Sequence, residues 1–291
     1  VSPPVIRRWL GYVTPPLFVL LWSTGFIGAK FGLPYAEPFT FLFVRLVLVS
    51  TVLSLVARAF RAPWPRRPSE IGHLIVTGIL VHGFYLGGVF AAIARGMPAG
   101  MAALIVGLQP LLTALLAPHL FGERVVARQW AGLTLGLLGV GLVVSGRLGF
   151  GGGIFGILWA LAALLGITAG TLYQKRFGAA MDLRTGTAIQ YMAAATLFGM
   201  LAVSTESLHI TWTLDFLLAL LWLTFVLSVG AIFLLYLLLR DGQAAKVASL
   251  FYLTPPVTAC LAWALFGEAM TPMALGGFAV SAIGVALARR A

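Results

Sequence analysis

The sequence predicts an all-α integral membrane protein, ten transmembrane helices arranged as an inverted five-plus-five repeat. Three observations carry that prediction. Hydrophobic residues fill 60% of the 291 positions and charged residues only 9%, with a mean hydropathy of +1.02, whereas a soluble domain carries roughly 25% charged residues. Apolar runs of about the 20 residues a helix needs to cross the hydrocarbon recur between short polar breaks, and a helix satisfies its own backbone in lipid. Finally, the chain repeats itself at an offset of 145: Arg95 meets Arg240, Pro110 meets Pro255, Leu120-Phe121-Gly122-Glu123 meets Leu265-Phe266-Gly267-Glu268, and Gly25 and Lys30 meet Gly170 and Lys175. The halves divide at 1–148 and 149–291.

Taken in order, the first span covers about 13–32 and brings Trp22, Ser23 and Thr24 to mid-membrane depth. Pro34 and Pro38 bracket the loop to the second span, 38–59, which contains Arg45. Side chains lean toward a helix N-terminus, so the expectation for Arg45 is snorkelling or an interhelix bond, with contact to a substrate carboxylate as the alternative. Pro63, Pro65 and Pro68 fill the next break. Span three, 71–94, centres on His82 with Phe84 and Tyr85 beside it; a histidine there either bonds a neighbouring helix or carries a proton. Span four, 98–120, has Gln109-Pro110 at its middle, and the proline predicts a kink that frees a carbonyl.

Gly122 suits a left-handed helix end, and Glu123 is placed to cap the following helix. Span five, 126–146, carries the small-residue face Gly132 and Gly136, with Gly139 matched by Gly284 in span ten, suited to close packing of the two spans or to an oligomer contact. A linker with Gly149 and Gly151 to Gly153 leads into the second copy, with spans at 153–175, 183–204, 214–239, 244–266 and 271–288. Span eight holds Trp222, Phe225 and Ser228. Span nine holds Thr254-Pro255-Pro256 and the sole cysteine, Cys260, read as packing; Gly267, Glu268 and Gly284 repeat the features of the first copy.

With a cytoplasmic N-terminus, fifteen lysines and arginines fall inside and only Lys30, Arg95 and Arg147 outside, Arg45 completing the 19. The same alternation puts both termini in the cytoplasm. Five spans per copy is odd, so the second copy enters from the opposite side. Such a pseudo-twofold in the membrane plane gives one fold two near-equivalent openings around a midplane site. The net charge of +11 belongs to membrane-flanking loops and not to a nucleic-acid surface.

No acidic residue falls near the centre of a span, and the chain has no phosphate-binding glycine loop, no His/Glu metal pair and no serine nucleophile with a base. An enzyme is disfavoured, and no cofactor or metal is expected. A cation exporter lacks its counter-charge; a channel lacks a continuous polar stripe.

Ten spans in two inverted copies, a midspan proline in the fourth helix of each and the Leu-Phe-Gly-Glu end to that helix resemble the EamA-type transporters of the drug/metabolite transporter superfamily. Leu21 to Thr24, Leu-Trp-Ser-Thr, further resembles the family's bacterial aromatic-amino-acid exporters. The resemblance implies a basket-like fold in which spans one, three, four, six, eight and nine line a central cavity. The substrate-binding residues it implies are Trp22, Ser23, His82, Tyr85, Gly107, Gln109, Pro110, Gly166, Thr168, Trp222, Phe225, Tyr252 and Pro255. Gly107 and Gln109 stand where those exporters carry bulkier groups, which implies a wider or more polar pocket. The expected function is export of amino acids and related small metabolites from a bacterial inner membrane by facilitated alternating access. The alternatives are an organic-cation exporter and a passive channel or interaction protein.

Overall fold

The structure, a computed structural model, describes residues 4–121, 127–145, 153–178, 181–231, 234 and 251–289. Gly122, Glu123, the linker at 146–152, the first part of span nine at 244–250 and the Tyr252 side chain lie outside them. The described residues are almost wholly helical, with one isolated bridge, Ala36 to Ile210. In chain order the helices are α1 (Pro4–Gly32), α2 (Pro38–Ala59), α3 (Pro68–Gly78), α4 (Tyr85–Ala94), α5 (Ala99–Val106), α6 (Gln109–Phe121) and α7 (Ala127–Ser145). The second copy supplies α8 (Gly153–Phe177), α9 (Leu183–Thr205), α10 (Leu214–Leu221), α11 (Thr254–Phe266) and α12 (Pro272–Arg289). α3 and α4 form one span, joined by a π-helical stretch at Ile79–Phe84, and α10 continues into another at Trp222–Ala231.

Proline and glycine set the breaks. α2, α3 and α11 all start with proline in the first turn, where the missing N–H costs nothing. Gly267 ends α11 at φ +64°, with its N–H on the Trp263 carbonyl and the Glu268 N–H on that of Ala262, so the expected left-handed cap is present. Asp182 and Thr213 cap α9 and α10 through their side chains.

Contacts between spans come in inverted mates. Span one lies against spans eight and nine as span six lies against three and four, while two and seven, four and nine, and five and ten pair directly. The fold is therefore a ten-span, two-repeat bundle. Spans five and ten meet through their glycines: a Cβ on Gly139 would fall 2.6 Å from the Gly277 carbonyl oxygen, and one on Gly284 equally close to that of Gly132. Only hydrogen permits that approach.

Candidate functional site

Between the two copies lies a cavity with about 120 Å³ of space open to the centre of a water molecule, room for several waters or a small organic group. Its wall includes Trp22 and Phe26 from α1, Arg45 from α2, His82 from the first π stretch, Tyr85 and Phe90 from α4, Ile167 from α8, Tyr191 from α9, and Leu227 and Ser228 from the second π stretch. Two pairs of mates lie on its wall. Adding 145 turns Trp22 into Ile167 and His82 into Leu227, so the cavity sits on the pseudo-twofold. The two π stretches are mates as well, since 79–84 maps onto 224–229. Such widened turns are frequent at functional sites.

Arg45 is the cavity's cation. It is 2% exposed, and its Nη2 donates to the Leu223 carbonyl at 3.3 Å and the Ser228 hydroxyl at 3.4 Å, while its Nε is buried without a partner. It bonds across to span eight and does not snorkel. His82 stacks on Tyr191 with ring centroids 4.0 Å apart.

The ends differ. At the face away from the chain termini, Lys30 pairs with Glu268 and lies 4.6 Å from the Phe266 ring centroid, and Glu268 also accepts from the Ala99 N–H at 3.2 Å. Glu268 thus caps span four, and the cap of α12 is Thr271, whose hydroxyl accepts from Ala274 N–H. This corrects the expectation that Glu268 serves the helix after it; the turn at Gly267 carries it toward the start of α5. Glu206 accepts from Phe39 N–H, Thr40 N–H and the Thr40 hydroxyl, and Glu37 accepts from the Ser207 N–H and hydroxyl. The Ser207 bonds hold the Glu37 carboxyl below its ordinary range. At the opposite face, Thr185, the mate of Thr40, donates to the Pro63 carbonyl beside a cleft lined by Trp64, Met181 and Asp182. The Arg184 guanidinium holds the Asp182 carboxyl low.

The EamA-like transporter family model matches residues 9–145 and again 154–290. The chain belongs to that family. A probable amino-acid metabolite efflux pump of Salmonella typhimurium is 30% identical over 90% of this chain and 88% of its own length. An uncharacterized inner membrane transporter of Escherichia coli is 27% identical over 93% and 88%. A solved crystal structure superposes with a TM-score of 0.67 over 95% of each chain at 23% identity, which shows the shared fold. EamA membership places the chain among small-molecule transporters in a membrane.

Of the residues the sequence singles out, the structure brings Trp22, His82 and Tyr85 to the cavity wall. Ser23 faces elsewhere, donating to the carbonyls of Val19 and of Thr254 in α11. Gly107 and Pro255 touch where spans four and nine cross, a Gly107 Cβ falling 2.9 Å from the proline Cγ. The kinks at the prolines take the form of breaks: α5 stops at Val106 and α6 restarts at Gln109 beside Pro110, and α11 begins at Thr254 after a 3-10 turn at Phe251–Leu253. Gln109 donates to Thr171 of α8 at 3.2 Å. Gly166 and Thr168 serve packing, the former against Phe84 and the latter bonded to the Leu164 carbonyl. Trp222 and Phe225 are 41% and 44% exposed and stand outside the cavity wall, the Trp222 indole donating to the Thr24 hydroxyl at 2.8 Å. Tyr191 and Arg45 also line the cavity; for Arg45 the sequence carries a signal in its mate Gln190, polar at the same depth, and for Tyr191 it carries none.

Proposed function

We propose that this EamA-family chain exports amino acids and related small metabolites across the bacterial inner membrane, by alternating access of its inverted repeats, with both termini in the cytoplasm. The observation that carries the reading is the cavity between the two copies, walled by aromatic and aliphatic side chains with a few polar groups among them. Tying of one face by Lys30–Glu268 and Glu206 while the other keeps a cleft fits an exporter that receives substrate from the terminal side. The name of the Salmonella relative supports the substrate class.

Transport is facilitated in this reading. Each acidic residue among those described lies in a loop, at a helix cap or in a first helical turn, so none of these is placed to stabilise a charged His82 at mid-membrane. Purified protein in liposomes should give saturable uptake of labelled neutral amino acids and none of organic cations. A pH gradient at clamped membrane potential should not raise a neutral amino acid above equilibrium. Saturable cation uptake without amino-acid uptake would overturn the substrate class; accumulation abolished by His82→Gln would overturn the facilitated mechanism.

A further inference from the structure

We infer that Arg45 is the substrate-carboxylate anchor of the cavity, and that a carboxylate beside an apolar group is what the site recognises. The inference rests on the transport reading above and narrows it. Arg45 is a fixed charge buried at a depth where an ion needs a partner. Among the described residues no carboxylate pairs with it. Its contacts are two long hydrogen bonds to neutral oxygens, both from one nitrogen, and its Nε is buried with nothing to donate to. An unmet donor on a buried guanidinium is costly unless something else meets it. The group lines the cavity, so what enters the cavity can supply the missing acceptor.

Chemistry then selects the ligand. A guanidinium presents parallel donors that match the two oxygens of a carboxylate. Tyr85 and Tyr191 share the wall with Arg45, so hydroxyls are also at hand. Trp22, Phe26, Ile167 and Leu227 supply an apolar surface for the rest of the molecule. The Leu223 carbonyl and Ser228 hydroxyl orient the guanidinium from the second π stretch, where the widened turn sets the two residues five apart with the hydroxyl donating to that same carbonyl at 3.1 Å. A permanent organic cation meets like charge here and is repelled.

The test is counterflow of labelled L-phenylalanine in liposomes preloaded with unlabelled L-phenylalanine, challenged with analogues. Phenylpropionate, which keeps the carboxylate and lacks the amine, should compete. Phenylethylamine and phenylalaninamide should compete about 10- to 100-fold more weakly, the loss expected for charge-assisted hydrogen bonds. Arg45→Gln should erase the difference between acid and amide, and Arg45→Lys should keep part of it. The analogue series runs on the unaltered protein, so a variant that fails to fold leaves the test intact. Equal competition by acid, amine and amide, with counterflow present, overturns the anchor and leaves amino-acid transport standing. Absence of counterflow for phenylalanine and for every other neutral amino acid overturns both.

Discussion

Lys30→Met should open the face that Lys30 and Glu268 close. Lys30 and Glu268 side chains are 29% and 12% exposed, the pair is supplemented by the Phe266 ring, and Glu268 keeps its bond to Ala99 N–H when the lysine is gone. A charge-assisted hydrogen bond contributes roughly 1.5–3 kcal/mol and an exposed cation–π contact about 0.5–1 kcal/mol. Water screens part of this, and the bonds count only insofar as the open arrangement lacks them, so about 2 kcal/mol is the working figure. At 1.4 kcal/mol per factor of ten, that shifts the population of the open state about 30-fold. The assay is labelling of a reporter cysteine at Leu86 on the cavity wall, in a Cys260→Ala background, by a membrane-impermeant maleimide added from the outer side. The rate should rise by about that factor while the open state is the minor one. Exchanging the two charges, Lys30→Glu with Glu268→Lys, restores the pair but removes the acceptor for Ala99 N–H, so labelling should return only part of the way. An unchanged rate in Lys30→Met, or a double exchange as reactive as the single variant, would refute the idea that this pair holds the face shut.

Gly139→Leu should lower the thermal midpoint in detergent, because its Cβ would stand 2.6 Å from the Gly277 carbonyl oxygen and backbone cannot step aside; overpacking of this kind costs roughly 1–3 kcal/mol. Gly141→Ala, on the same helix with nothing within 4 Å of the new Cβ, should leave the midpoint unchanged or raise it. For Glu37, Ser207 lowers the carboxyl pKa from its ordinary 4.5, so its contribution to holding the loops together is complete above that value and is lost as pH falls through the lowered one. The acid limb of a pH–stability curve should therefore flatten in Glu37→Gln, and a limb identical to that of the parent would remove Glu37 from the account.

The bundle was legible in the sequence because membrane spans announce themselves by length and composition, and the repeat by plain arithmetic. Register within the spans was less so. Both π stretches escape a reading built on 3.6 residues per turn, since a locally widened turn leaves no mark in a run whose residues are apolar on nearly every side. Their insertion sets which residues face inward: Val81, His82, Tyr85, Leu86, Val89 and Phe90 share one wall. Trp222 and Phe225, at the right depth in span eight, look like cavity residues in the sequence and stand outside the wall while Leu227 and Ser228 face in. For Arg45 the sequence leaves snorkelling to water and an interhelix bond both open, and the structure shows the bond. Its partners, Leu223 and Ser228, lie on a helix that sequence alone does not place beside it.

The two copies have kept some features and lost others, and the division follows function. Retained pairs sit at breaks and faces: Pro110 with Pro255, Lys30 with Lys175, Thr40 with Thr185. On the proposed alternating-access reading these are the parts that two openings of one fold would use alike, each conformer closing at one face what the other closes at the opposite face. The cavity wall is where the copies diverge, Arg45 against Gln190, His82 against Leu227, Trp22 against Ile167. A substrate with one charged end and one apolar end has no twofold symmetry, and a wall that obeyed the symmetry would bind it in two opposed orientations. On the proposed transport reading, duplicated gates with a diverged wall would give two near-equivalent openings onto a single bound orientation, its charged end toward Arg45.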